Sequence, residues 1–319
     1  MTATTTGTVE TKLSLRAIAK QSSWRSRSVS WIASSLLLLA MTTAACGGMG
    51  PPASGKAAQE RHLWEYKRGG GFNLYSLKDE VKIGEYFMKE QVKEFKRKKV
   101  GVDLPKHQAL KSRIEKIVQR IAFVSDRTNF PYEVHIFDRP DIVNAYCLPG
   151  GKIAVFSGLF DKEKGLVDET SDDQIAAVIG HEIAHGALRH ITRRLSTFQG
   201  IGFLGSIASI GLGQGVGAQA QQIFDQVFYL GMNITIPNYS RRFEREADQA
   251  GLYYLSKARF NPMAAVEIWR KAAARGGPNS KRTDFFASHP ASGERAKYLE
   301  SWLDDAIPLS RGKIPAGKY

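Results

Sequence analysis

Apolar positions recur at helical spacing in two segments of the first half of the chain. The segment SLKDEVKIGEYFMKEQVKEFKRK (76–98) has one broad apolar face, and Ser76 is placed to cap its start. The segment HQALKSRIEKIVQRIAFVS (107–125) repeats this spacing from Leu110 to Ile121. The two patterns predict two amphipathic helices.

The pattern changes after residue 130. YEVHIFD (132–138) alternates apolar and polar residues and contains β-branched side chains, so it predicts a strand. KIAVF (152–156) predicts a second strand, and Pro149-Gly150-Gly151 predicts the turn that precedes it. We expect a small sheet, and we expect an extended peptide to pair with it along the KIAVF strand.

The segment TSDDQIAAVIGHEIAHGALRHITRRLS (170–196) predicts one long helix. Ser171, followed three residues later by Gln174, has the spacing of a capping box. Apolar residues surround the centre of this segment on nearly all sides, and this predicts that the helix is buried.

Further helices are predicted after residue 239. One begins at Ser240, the next has Pro262 in its first turn, and a short loop and helix lie within 288–305. The apolar, glycine-rich segment 200–222 fits either a hydrophobic helical hairpin or lid, or a buried core segment. The elements together predict an α+β fold, mostly helical, with a small β-sheet beside the long helix.

The N-terminus has the pattern of an export signal. Residues 1–30 are basic, and the apolar stretch Trp31–Met41 is too short to span a bilayer comfortably. Small residues then lead to Cys46, an ending that resembles a bacterial lipoprotein signal. We predict a signal peptide over 1–45, a lipidated Cys46 and a flexible tether over 46–74. An ordinary cleaved signal or an uncleaved anchor is the alternative.

Charge adds one restriction on partners. The 319-residue chain has a formal net charge of +14 and stays basic without its leader. An exported protein does not meet DNA, and the basic cluster KEFKRKKV (93–100) lacks the interleaved aromatic residues that single-strand binding needs. We expect no nucleic-acid partner and interpret the cluster as a solvated helix end or a patch facing anionic lipid headgroups.

The chemistry concentrates in the long helix. His181 and His185 are four residues apart and share a helix face, so both imidazoles can reach one metal ion. Glu182 is offset from that pair and can contact a water on the metal without binding the metal itself. Incidental histidines on a surface helix are the alternative, but the apolar surroundings oppose it because buried His and Glu side chains need partners.

A catalytic zinc ion takes three protein ligands and a water, so a third ligand is needed. His190 lies nine residues after His181, on the opposite face of a continuous helix, and we expect it at the surface or behind a ligand. Glu244 and Asp248 share a face of a later helix, from which Glu246 points away. Spacing alone does not choose between Glu244 and Asp248.

Four separated motifs resemble those of the M48 family of zinc metallopeptidases. They are H-E-x-x-H at 181–185, E-x-x-x-D at 244–248, N-A-x-x-x-P-G-G from residue 144 and H-P-x-x-x-x-R at 289–295. The resemblance covers roughly residues 75–305, implies a zincin-like metallopeptidase fold there, and leaves 306–319 as a tail.

The same resemblance assigns roles to three later residues. It implies Glu244 as the third zinc ligand and Asp248 as the residue that orients a ligand histidine. It also implies that His289 lies near the zinc, where it either gates the site or stabilises the transition state.

The resemblance further implies a zinc endopeptidase with one Zn²⁺ per chain. Zinc would activate a water and the scissile carbonyl, while Glu182 would take the proton and deliver it to the leaving amine. With the lipoprotein-type leader, this implies a bacterial envelope enzyme on the periplasmic face of the outer membrane. Its substrates would be unfolded or misassembled envelope proteins. The alternative is a zinc-binding chaperone or assembly factor with little proteolysis.

Overall fold

The computed structural model describes residues 62–66, 71–197, 239–275, 289 and 293–313. The chain divides into two compact units, Met1–Glu60 and Arg61–Tyr319, and every described residue belongs to the second unit. The predicted signal peptide, Cys46 and the glycine-rich segment 200–222 lie outside the described residues. Within the described part, none of the helices has both the length and the apolar character needed to cross a membrane.

The two amphipathic helices before the sheet form as predicted. Helix α1 spans Leu77–Arg97, and Ser76 and Asp79 form a capping box at its start. Helix α2 spans Gln108–Val124 and follows the short 3-10 helix Pro105–His107.

The sheet has three strands: β1 (Glu133–Phe137), β2 (Ala145–Leu148) and β3 (Lys152–Phe156). Their order is β1-β3-β2, with β1 parallel and β2 antiparallel to β3. The KIAVF strand is therefore the central strand and is paired on both sides. The prediction that an extended peptide pairs along it is wrong, because no free edge remains there.

The long helix is interrupted. Helix α3 spans Asp172–Ala187 and is buried along most of its length, and Ser171 caps its first turn. A turn at Leu188 and Arg189 follows, and residues 190–197 are helical again. The prediction of one continuous helix over 170–196 is therefore wrong, because the backbone of Arg189 is left-handed, with φ +63°.

Four further helices follow residue 197 in the described part of the chain. They are α4 (Arg241–Lys257), α5 (Met263–Arg275), α6 (Gly293–Ser301) and α7 (Leu303–Ser310). α3 packs against α2, α4, α5 and β2, which places it inside the main hydrophobic core. The predicted class, α+β and mostly helical with a small sheet beside the H-E-x-x-H helix, is confirmed.

Helices α3 and α4 approach each other closely beside His181. A Cβ atom added to Gly251 would lie 3.0 Å from the His181 Cα atom and 3.1 Å from the Gly180 carbonyl oxygen. A side chain at this crossing would be tightly packed and would require the neighbouring backbone to shift by a few tenths of an ångström. The close approach brings the acidic residues of α4 within reach of the histidines of α3.

The packed body extends beyond 75–305 on both sides. Leu63, within the predicted tether, is fully buried, and its N–H donates to Asp305 Oδ2 at 2.8 Å. Helix α7 continues into the predicted tail, where Ala306 is fully buried.

Candidate metal centre

Two helices bring three donor groups together. His181 and His185 lie one turn apart on α3, and their Nε2 atoms are 3.1 Å apart. Glu244 lies in the first turn of α4. Its Oε2 is 3.5 Å from His181 Nε2, and its Oε1 is 3.5 Å from His185 Nε2. All three side chains are buried, so each must be paired or must coordinate an ion.

A fourth donor completes the group. His289 places Nδ1 3.2 Å from His181 Nε2 and 3.1 Å from Glu244 Oε1. The four residues are the group of His and carboxylate ligands in the described part of the chain that could hold a metal ion. A tetrahedral zinc site with bonds of about 2.0–2.1 Å spaces its ligand atoms roughly 3.3–3.4 Å apart, so this donor set fits one Zn²⁺.

Asp248 and Arg295 lie on the His181 side of the donor group. Asp248 Oδ1 lies 3.1 Å from His181 Nδ1, the nitrogen on the far side of the ring from the donors. Arg295 binds Asp248 through two nitrogens, at 2.6 and 2.8 Å, and reaches Glu244 Oε2 with its third at 2.6 Å. Its guanidinium stacks 3.4 Å above the Trp269 ring. The fully buried arginine therefore links two buried carboxylates.

This environment keeps Glu244 ionised. Burial raises the pKa of the Glu244 carboxyl, but the charges of His289 and Arg295 and the hydrogen bond with His181 lower it by more. The pKa ends well below its usual range. An ionised carboxylate is the form that binds zinc.

Different residues support His185. Its ring stacks on Tyr239, with centroids 3.8 Å apart, and its Nδ1 lies 2.9 Å from His190 Nδ1. His190 is fully buried and in turn contacts Glu246 Oε2 at 3.3 Å. Of the two expectations for His190, the one that placed it at the surface is therefore wrong. His190 lies behind a predicted ligand, because the break after α3 turns it back towards His185.

Glu182 lies beside the donors without joining them. Its side chain is fully buried, and burial raises the pKa of its carboxyl to about 7. Its Oε1 lies 3.3 Å from His289 Nε2. A carboxylate with a pKa near neutrality can both accept and donate a proton at physiological pH.

The structure thus brings all six predicted site residues together, and it adds others. Arg295 belongs to the H-P-x-x-x-x-R motif, so the sequence already indicated that it could matter. We predicted no role for it at the metal centre from the sequence. Trp269 and Tyr239 had no such signal, because an aromatic residue in a helical core is typical of ordinary packing.

Comparison with known proteins agrees with this geometry. The sequence model described as Peptidase family M48 matches residues 107–303. The chain is 31% identical over 235 residues to mitochondrial metalloendopeptidase OMA1 of Schizosaccharomyces pombe, covering 74% of this chain and 64% of that protein.

Two bacterial proteins are also similar. Metalloprotease LoiP of Escherichia coli is 31% identical over 157 residues, 49% of this chain and 57% of LoiP. The beta-barrel assembly-enhancing protease of Yersinia pestis is 24% identical over 226 residues, 69% of this chain and 43% of that protein. The chain therefore spans between 43% and 64% of these three relatives. The region matched by the family contains every residue that converges on the metal centre.

Proposed function

Because the chain belongs to peptidase family M48, we propose that it is a zinc-dependent endopeptidase. The observation that carries the proposal is the buried convergence of His181, His185 and Glu244 beside Glu182. His181, His185 and Glu244 would hold the ion, whereas the adjacent Glu182 carboxylate would not bind it. Metal-assisted peptide hydrolysis needs this separation between the residues that bind the metal and the residue that transfers protons.

The residues of the chain perform the proton transfers. When bound, zinc supplies Lewis-acid polarisation of the substrate carbonyl and increases the acidity of water. Glu182 accepts the proton of the attacking water on a carboxylate oxygen and delivers it to the leaving amine nitrogen. Arg295 and Asp248 keep Glu244 and His181 in place during both transfers.

His289 acts as a gate in this proposal. Its Nδ1 fills the fourth donor position, which a catalytic site keeps for water or substrate. The arrangement of the four donors therefore corresponds to a resting state. His289 has to leave that position before a peptide can be cleaved.

The substrate peptide is best placed at strand β2. Among the described residues no further strand lies beyond β2 in the sheet, and β2 packs directly against α3. An extended peptide that adds to this edge runs beside Glu182. Backbone pairing of this kind recognises unfolded segments with little dependence on their side chains.

We place the enzyme in the bacterial envelope, lipidated at Cys46 and facing the periplasm from the outer membrane. The apolar leader that ends in small residues before Cys46 supports this location. The name of the beta-barrel assembly-enhancing protease supports a role with misassembled envelope proteins. The OMA1 relatives are mitochondrial, so the leader is the main support for the location.

Digestion of unfolded substrates tests the activity. The full chain is incubated with casein and with an unfolded outer-membrane porin, with and without a zinc chelator. We expect fragments that disappear with the chelator and return with added Zn²⁺. If zinc binds and the porin stays intact in every sample, the chaperone alternative holds instead.

The anchor has a separate test. Replacement Cys46→Ser removes the thiol that would carry the lipid, so we expect the chain to move from the membrane fraction to the soluble fraction. Cys147→Ser serves as the control, since that cysteine is buried. Equal membrane recovery of both variants would contradict lipidation at Cys46.

A further inference from the structure

The two ring nitrogens of His185 face different partners. Nε2 points at the donor group, 3.1 Å from His181 Nε2, whereas Nδ1 points away from it and lies 2.9 Å from His190 Nδ1. His190 continues the chain of contacts through Nε2, which lies 3.3 Å from Glu246 Oε2. His185 and His190 thus connect the metal centre to the carboxylate of Glu246 on α4.

Only one arrangement of protons fits this chain of contacts when His185 is a ligand. A metal-binding Nε2 carries no proton, so Nδ1 of His185 carries it and donates to His190 Nδ1. The proton of His190 is then on Nε2, which donates to Glu246. Each nitrogen has one role, and the ionised Glu246 is the final acceptor.

The surrounding structure fixes the position of His190. Its ring stacks on Phe243, with centroids 4.4 Å apart and planes 8° apart. Arg193 donates to Glu246 Oε2 at 2.8 Å and holds that carboxylate towards His190. His190 itself is fully buried, so its two nitrogens depend on these protein partners.

The break after α3 makes the relay possible. The left-handed Arg189 lets residues 190–197 begin a new helix, so that His190 faces back to His185. Arg189 donates to Glu80 Oε1 at 2.8 Å and to the Tyr75 carbonyl. The left-handed region is unfavourable for a non-glycine residue, and these two contacts offset the strain at Arg189.

We propose that His190 is a positioning residue for zinc, acting through His185, with Glu246 as the terminal acceptor. The proposal rests on the proposed function in one respect, that His185 is a zinc ligand. The relay fixes the tautomer and the ring orientation of His185 and increases its basicity. Outer partners of this kind typically change metal affinity about 10–100-fold.

The test measures zinc affinity on the full chain in detergent, by competition with a chelator of known affinity. His190→Phe keeps an aromatic ring against Phe243 and removes both hydrogen bonds, so we expect zinc binding to weaken about 10–100-fold. His190→Gln should recover part of this loss, because its amide can accept from His185 and donate to Glu246.

The zinc-induced rise in Tm separates positioning from simple destabilisation. Zinc stabilises the fold by an amount that increases with the logarithm of its affinity, so His190→Phe should show a smaller rise than the wild type at the same zinc concentration. The control is Tyr254→Phe, at another position on α4, which removes a partly buried hydrogen bond to Asp126 Oδ2. We expect that variant to lower the Tm with and without zinc by the same amount.

Glu246→Gln tests the end of the relay and keeps the proposal testable if His190→Phe does not fold. We expect weaker zinc binding than in the wild type, and no further loss when it is combined with His190→Phe, because the two residues act in series. Wild-type zinc affinity in His190→Phe, or in both Glu246→Gln and His190→Gln, would overturn the relay. Failure of the wild type itself to bind zinc would instead contradict the proposed function.

Discussion

The two histidines of α3 that we propose as zinc ligands have different support. His181 Nδ1 meets the carboxylate of Asp248 directly, at 3.1 Å. His185 Nδ1 meets a second imidazole, His190, and reaches a carboxylate only through it. Both arrangements fix one tautomer, but the first uses a buried charge and the second uses a neutral ring.

Because of this difference, the loss of a supporting residue should have different consequences on the two sides of the site. On the His181 side, Arg295 is buried between Asp248 and Glu244, so its loss removes the arginine partner of two buried carboxylates at once. On the His185 side, the charge of Glu246 lies close to the surface, where Arg242 also reaches it. We infer that damage to the first side unfolds the protein, whereas damage to the second side mainly weakens the hold on zinc.

Replacement Arg295→Met should have the largest effect on stability. Removing one partner of a buried ion pair costs about 3–5 kcal/mol, and this arginine serves two carboxylates. The matched control is Arg242→Met, which removes a largely exposed partner of Glu246 and should cost less than about 1 kcal/mol. Urea denaturation with and without zinc measures both free energies of unfolding. Similar losses in the two variants would refute the contrast between the two sides.

Replacement Asp248→Asn should reduce zinc affinity about 10–100-fold, because it removes the charge behind His181 and keeps the shape of the side chain. Combined with His190→Phe, the two losses should multiply, since the variants act on different ligands. Chelator competition on the two single variants and the double variant measures this. A double variant no weaker than either single one would show that the two supports are not independent.

Replacement Asp103→Asn should leave zinc binding unchanged, because Asp103 supports strand β1 of the sheet. Burial raises the pKa of the Asp103 carboxyl, but hydrogen bonds from the Ile136 N–H, His135 and Lys111 lower it by more. A carboxyl with a lowered pKa adds stability above its unfolded value of about 3.9 and loses it as the pH falls through the folded value.

We therefore expect Asp103→Asn to cost about 1–2 kcal/mol at pH 7 and progressively less towards acid pH. Asparagine tolerates the left-handed backbone of this residue, whose φ is +52°, so strain does not obscure the result. Thermal unfolding at several pH values measures the difference. A loss that stays constant down to acid pH would contradict this electrostatic explanation.

Local pattern was sufficient for much of this fold and site. Helical spacing predicted α1 and α2, and the four-residue spacings placed His181 with His185 and Glu244 with Asp248. These predictions depend only on neighbours within one turn, which the sequence determines directly. The choice of Glu244 as the donor needed the relation between two helices, which is set by the glycine contact at Gly251.

The failures have a different origin. Strand order depends on pairing between distant segments, so nothing in KIAVF revealed that it is the central strand. The break after Ala187 depends on Arg189, which its contacts with Glu80 and Tyr75 stabilise from α1, more than a hundred residues away. A helical wheel continued through that break places His190 on the wrong face.

We propose that Glu182 performs the proton transfers at a metal that other residues hold. Replacement Glu182→Gln in the full chain tests this role, with zinc content and cleavage of unfolded porin measured on the same sample. We expect about one zinc per chain, as in the wild type, and cleavage slower by about 10²–10⁴-fold, the usual contribution of a general base. Cleavage at the wild-type rate by a zinc-loaded Glu182→Gln protein would contradict the claim.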